Sequence, residues 1–235
     1  MKYSGSLVNE EREKIFQLFL DNVKLKFNEI EKRIKIRSNM VSYHLERMQK
    51  EGIIEKSGDF YSLAKSAEKY IPVFSNMIGQ ELSPLPIILV AVVRKGKILM
   101  IKRNRRPYKD YLSMMGGKML LEESFEEASL RQVKQKSGIE GKFLSINAVM
   151  QERVEGDGMI KHNFIFVFAK VSTEEEKFRE SEYGKLRWID IKKIGKEKVI
   201  PSDLWLIRNK LDSKLDINTI YMHEKDGEII SSDIE

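Results

Sequence analysis

Three residues on one predicted helix raise the first chemical question. Gln132, Gln135 and Lys136 are spaced i, i+3 and i+4, so a helix over residues 124–136 places them on one face. That face offers two neutral amides and one ammonium. A divalent metal such as magnesium prefers hard, anionic oxygens, and this face supplies none. It suits an anion better than a cation.

The helix has well-marked ends. Ser124 is a favoured N-cap, and Glu127 stands three residues on, where it can complete a capping box. Glu126 and Glu127 complement the positive start of the helix, and Lys134 and Lys136 its negative end. Gly138 follows as a stop.

The stretch around this helix, from Gly117 to Ile139, resembles a Nudix box: Gly, five residues, Glu, seven residues, then Arg-Glu-aliphatic-x-Glu-Glu-x-Gly-aliphatic. Gly117, Glu123, Arg131, Val133, Gly138 and Ile139 fall at that spacing. The three helix glutamates do not, since Gln132, Gln135 and Lys136 replace them. Just before the box, where the family usually has Pro-Gly-Gly, this chain has Met115-Gly116-Gly117. The resemblance implies that Arg131 pairs with Glu123 to hold the box loop. It also implies that the replaced positions are the magnesium ligands of active relatives. On this reading the domain is a Nudix-like binding domain without hydrolase activity, and the chain is not an enzyme. No cofactor and no metal site are expected. Arg103, Arg105, Arg106, Lys118 and Lys136 would supply cations to a nucleotide-like or diphosphate ligand, beside Glu123. The alternative is a hydrolase of a nucleoside diphosphate derivative that draws its metal ligands from Glu122, Glu123, Glu126, Glu127 and Glu152. Lys136 would oppose that cation.

The elements that carry the box extend over residues 85–212. Ile87 to Arg94 and Ile98 to Lys102 read as strands about a Lys95-Gly96-Lys97 turn. Phe143 to Arg153, His162 to Val171 and Lys185 to Asp190 read as three more. Pro201-Ser202-Asp203 opens a closing helix that runs to Leu211. This order matches the Nudix α/β/α sandwich. Residues 213–235 are an extension, with a hairpin about Asp226-Gly227 added to the sheet or to a dimer partner, and a loose end from Ser231 to Glu235.

The first part of the chain has a different character. A helix is expected over residues 8–23, with Asn9 as N-cap and an apolar stripe of Ile15, Phe16, Phe19, Leu20 and Val23. A second follows over 28–34. A third, capped by Ser38, runs over 39–51 with Val41, Leu45 and Met48 inward. Two short strands around Ser57-Gly58-Asp59 then read as a hairpin. Three helices and a hairpin resemble a winged helix-turn-helix domain, covering residues 8–65. Between Lys24 and Lys50 there are eight Lys or Arg against three Glu, which is most of the chain's net charge of +6. The resemblance implies that Ser38, Asn39, Ser42, Tyr43 and Arg47 face a major groove, with His44 flanking them. Lys35, Arg37 and Lys56 would meet phosphates.

Residues 66–84 are expected to form a linking helix, kinked near Pro72 and apolar enough for a dimer seam, ending at Ser83-Pro84-Leu85-Pro86. The fold expected is thus α+β with two domains. The 235 residues are 41% hydrophobic, enough for two cores. With no cysteine there is neither a disulfide framework nor a thiolate metal site. No apolar run reaches membrane length and no signal pattern opens the chain, so a cytoplasmic location is expected. A Nudix-related transcriptional regulator is what the combination resembles. In such regulators a ligand-binding domain alters the affinity of a homodimer for double-stranded DNA. Their commoner order puts the DNA-binding domain last, the reverse of this chain. The third alternative is a constitutive nucleic-acid binder with the Nudix-like part as a dimerisation scaffold.

Overall fold

The computed structural model describes residues 9–71, 83–179, 182–225 and 228–234. The chain divides into two compact units, Met1–Leu82 and Ser83–Glu235.

In the first unit, α1 (Glu10–Leu18) starts where Asn9 accepts a hydrogen bond from the Arg12 amide, 3.2 Å long. The expected extension to Val23 does not form. The Asn22 side chain donates to the Leu18 carbonyl at 2.7 Å and closes the helix there, leaving Val23 91% exposed. A two-residue strand, β1 (Leu25–Lys26), leads into α2 (Phe27–Ile34), where Glu29 reaches back to the Lys26 amide at 2.7 Å. Lys35 ends α2 in the left-handed conformation. In α3 (Ser38–Lys50) the cap position falls on Arg37, not Ser38, whose hydroxyl instead donates to the Glu31 carboxylate. Strands β2 (Ile54–Ser57) and β3 (Phe60–Leu63) form the hairpin, and β1 joins it in the order β1-β3-β2. Ile15, Phe16, Ile30, Val41, Leu45, Met48 and Ile53 pack into one core beneath these elements.

His44 belongs to that core. It is 3% exposed, and its Nδ1 accepts from Arg12 Nε at 3.3 Å. It therefore does not flank an outward face, because it shares the inward stripe of α3 with Val41, Leu45 and Met48. Residues 65–70 form a 3-10 helix. The rest of the expected linking helix, including Pro72, lies outside the described residues.

The second unit is built on one mixed sheet. Its strands are β4 (Leu85–Arg94), β5 (Lys97–Arg103), β6 (Leu112–Ser113), β7 (Met115–Gly117), β8 (Lys142–Gly156), β9 (Met159–Ser172) and β10 (Gly184–Asp190). The path runs β10-β5-β4-β9-β8, with β6 on β5 and β7 on β4. Central β4 pairs in parallel with β9, Leu85 opposite Phe164 and Val93 opposite Ser172. From Ile88 to Val92 every residue of β4 is buried, as a strand covered on both faces requires. Ile88, Val90 and Val92 pack with Ala128 and Val133 of α4 (Phe125–Ser137). Leu89 and Ala91 face the other side, with Phe166, Phe168, and Leu206 and Ile207 of α5 (Pro201–Lys210). The sheet thus has a helix on each face.

The tail forms β11 (Ile220–Lys225) and β12 (Glu228–Ile234), which pair with each other. Among the described residues this hairpin does not join the larger sheet, and Ser231 to Ile234 lie within its second strand. The expected turn at Asp226-Gly227 lies outside the described residues. No described helix is long and apolar enough to cross a membrane.

Candidate functional site

The glycine pair on β7 sets the geometry around α4. A Cβ on Gly116 would stand 2.6 Å from the Ile88 carbonyl oxygen, and one on Gly117 2.5 Å from Gln132 Nε2. Only glycine lets this edge pass so close to both sheet and helix. Ser124 caps α4 as expected, accepting from the Glu127 amide at 3.2 Å while Glu127 accepts from the Ser124 amide at 2.8 Å. Gly138 closes the other end with a φ of 73°.

Arg131 holds the loop before the helix. Its guanidinium donates to both oxygens of Glu123, at 2.7 Å for Nη2 to Oε2, and Nη2 also donates to the Lys118 carbonyl at 2.9 Å. Glu123 accepts from the Leu120 amide as well, at 2.7 Å. Bonding to Arg131 holds the Glu123 carboxyl below the usual range, although burial works against it. This carboxylate is fully engaged inside the protein.

Magnesium does not fit the face that follows. Gln132 is 5% exposed and donates to the Lys118 carbonyl at 3.2 Å. The Gln135 amide oxygen accepts from Arg131 Nη1 at 3.2 Å. Lys136 Nζ donates to the Gly116 carbonyl. The face thus presents engaged neutral amides and a cation. Among the described residues, no cluster of three or more His, Asp or Glu stands ready to hold a metal.

Lys136 instead lines a cavity of 310 Å³ with Arg103, Arg105, Tyr108, Glu152, Phe164, Phe166, Tyr183 and Asp203. Of the six residues expected at the ligand, Arg103, Arg105 and Lys136 meet here. Arg106, Lys118 and Glu123 do not line it. Arg106 and Lys118 are exposed on their loops, and Glu123 is consumed by Arg131. The Lys136 ammonium sits 5.1 Å from the Tyr183 ring centre, and the Arg105 guanidinium 5.7 Å from the same ring. Burial, with Arg103 and Arg131 nearby, pulls the Lys136 amine down to about 8.

Two carboxylates share the cavity. Asp203, in the first turn of α5, is buried and accepts from the Met114 amide at 2.6 Å. Burial pushes it up to about 7. Glu152, on β8, accepts from the Tyr108 hydroxyl at 3.3 Å and from the Ser202 hydroxyl. Burial and this carboxylate push Tyr108 up to about 12. From sequence, Glu152 is an alternative metal ligand and Asp203 part of a helix start. An acid in a first helical turn reads as a partner for the helix dipole, so nothing local marked Asp203.

With this geometry in hand, comparison with known proteins defines the family. Residues 84–209, more than half of the chain, match the NUDIX domain model, so the chain belongs to the NUDIX family. The second unit is similar to the MutT mutator protein of Bacillus halodurans, at 21% identity over 64% of this chain and 97% of that one, with a TM-score of 0.48. It is similar to a NUDIX-family hydrolase of Clostridium perfringens, at 19% identity over 56% and 98%, with a TM-score of 0.44. It is also similar to the NUDIX domain of Shewanella oneidensis NrtR, solved with ADP ribose, at 12% identity over 58% and 94%, with a TM-score of 0.48. No curated protein matches.

This family membership corrects one expectation. The reading that the chain is not an enzyme rested on Gln132, Gln135 and Lys136 alone. Membership of the NUDIX family over residues 84–209 overturns it, because three replacements on one helix face do not by themselves remove a domain's activity. Physically, the three replacements change the charge of one helix face, while Glu152 and Asp203 remain in the cavity.

Proposed function

We propose that this chain is a DNA-binding transcriptional regulator whose NUDIX domain takes up a nucleotide-like or diphosphate ligand. The observation that carries the reading is the cavity, where Arg103, Arg105 and Lys136 share one space with Phe164, Phe166 and Tyr108. Cations suit phosphates, aromatic rings suit a base, and 310 Å³ is on the scale of a small ligand.

For the first unit we read a winged helix. The order α1-β1-α2-α3-β2-β3 supports it, with α3 in the recognition position. Lys35, Arg37, Ser38, Asn39, Tyr43, Arg47 and Lys56 are exposed, and Ser42 is half-buried beside them. Asn39, Tyr43 and Arg47 follow at four-residue steps along one face of α3. Double-stranded DNA is the partner this face suits, and a homodimer would offer two such helices to a two-fold site. Ligand and DNA are then linked thermodynamically: a ligand shifts the DNA equilibrium by its differential affinity for the two states. Arg47→Ala is expected to weaken specific binding by about 1–3 kcal/mol, the worth of a base contact. Arg47 is exposed and pairs only loosely with Glu51, at 3.4 Å, so the fold survives. Band-shift titration checks this, and unchanged affinity would remove α3 from the interface.

The two cavity carboxylates favour a second reading, that the domain hydrolyses its ligand. Asp203, near 7, can exchange a proton at neutral pH, and Glu152 lines the same cavity. On this reading, product release from ADP or ADP ribose falls about 10²–10⁴-fold in Glu152→Gln. Equal turnover in the variant would clear Glu152 of that role.

A further inference from the structure

We infer that Lys136 is a built-in countercation for the ligand's diphosphate, so that binding in the NUDIX cavity needs no divalent metal. The inference rests on the proposed ligand cavity and adds the ionic form in which the ligand enters it.

The position of the ammonium is fixed from two sides. The Gly116 carbonyl of β7 accepts a hydrogen bond from it, and the Tyr183 ring lies 5.1 Å away. Among the described residues, Lys136 has no carboxylate within 4 Å. The acids described nearby are engaged elsewhere: Glu123 with Arg131, Glu182 with Arg105, Glu152 with Tyr108 and Ser202, and Asp203 with the Met114 amide. Arg103 and Arg131 add like charge. A partly buried cation facing like charges, with no paired anion among the described residues, is costly unless an anion arrives. A diphosphate brings that anion. A diphosphate already wrapped around magnesium brings less negative charge and sets a dication against Lys136, Arg103 and Arg105. The site is therefore complementary to the free anion.

The pH dependence follows from the same groups. Arg103 and Arg131 face the amine with like charge, and Tyr108, pushed up to about 12, stays neutral through most of the alkaline range. Asp203 titrates near 7, below the window of interest. An arriving anion raises the Lys136 value, so the contribution of Lys136 to affinity is full below about 8 and declines as pH rises above it.

The test is calorimetric titration of the full chain with ADP and with inorganic pyrophosphate, in EDTA or in magnesium at one ionic strength. The expected result is binding in EDTA at least as tight as in magnesium. Lys136→Met should lose about 10–100-fold, the worth of a hydrogen bond to a charged group. Lys136→Arg should keep the affinity and flatten its decline between pH 8 and 10. That arm stands even if Lys136→Met fails to fold. Binding seen only with magnesium would overturn the inference and leave the ligand cavity standing. So would wild-type affinity in Lys136→Met, or the same pH decline in Lys136→Arg. No binding of either compound under any condition would overturn both the inference and the diphosphate reading.

Discussion

Phe168→Ala is expected to destabilise the NUDIX unit by about 3–5 kcal/mol. Phe168 is among the largest fully buried side chains, in the middle of β9. It belongs to the cluster that joins the sheet to Leu206 and Ile207 of α5. Truncation removes the ring and leaves a void that the parallel β4–β9 pair is too constrained to close. The effect should reach the site, because the first turn of α5 carries Asp203 and its bond to the Met114 amide. Urea denaturation of variant and wild type checks the magnitude. A loss under 1 kcal/mol would mean that α5 is not anchored through this ring.

Arg131→Leu has the second largest expected effect, about 2–4 kcal/mol at neutral pH. Both members of the pair are largely shielded, with 22% and 12% of their side-chain surfaces exposed. Removing the arginine strands Glu123 in a poorly solvated pocket, which costs more than the pair contributes. It also frees the Lys118 carbonyl that Arg131 holds. The sign with pH is fixed. Arg131 depresses the Glu123 value, so the stability it lends is present above the unfolded Glu value of about 4.3 and fades as pH falls through the folded one. The gap between the two proteins should therefore narrow as pH falls below the unfolded Glu value. Thermal melts from pH 3 to 7 measure this, and a gap that stayed constant to pH 3 would contradict the ion-pair account.

The box helix was legible because its signals are local. Ser124, Glu127, Gly138 and the 123–131 pair act within one or two turns, and each sits where its type demands. Strand β4 was legible for a related reason, since an unbroken apolar run bounded by Pro86 and Lys95-Gly96 can be buried on both faces. The end of α1 was not, because the apolar stripe continued to Val23 while a single bond from Asn22 stopped the helix. His44 carries a usable signal: it stands three residues after Val41 and four before Met48, on the inward stripe. The cavity was the least legible part. Lys136 announced a cation, but its hold on Gly116 depends on β7 lying against α4. Glu152, Asp203 and Tyr108 come from a strand, a helix start and a loop, and no spacing links them.

The most direct test of the regulator reading is binding of the full chain to a labelled fragment of its own promoter at fixed salt, with and without ADP ribose, ADP and related compounds. The expected result is specific binding that one compound shifts by about 5-fold or more. Binding that no compound alters, or no specific binding at all, would contradict it.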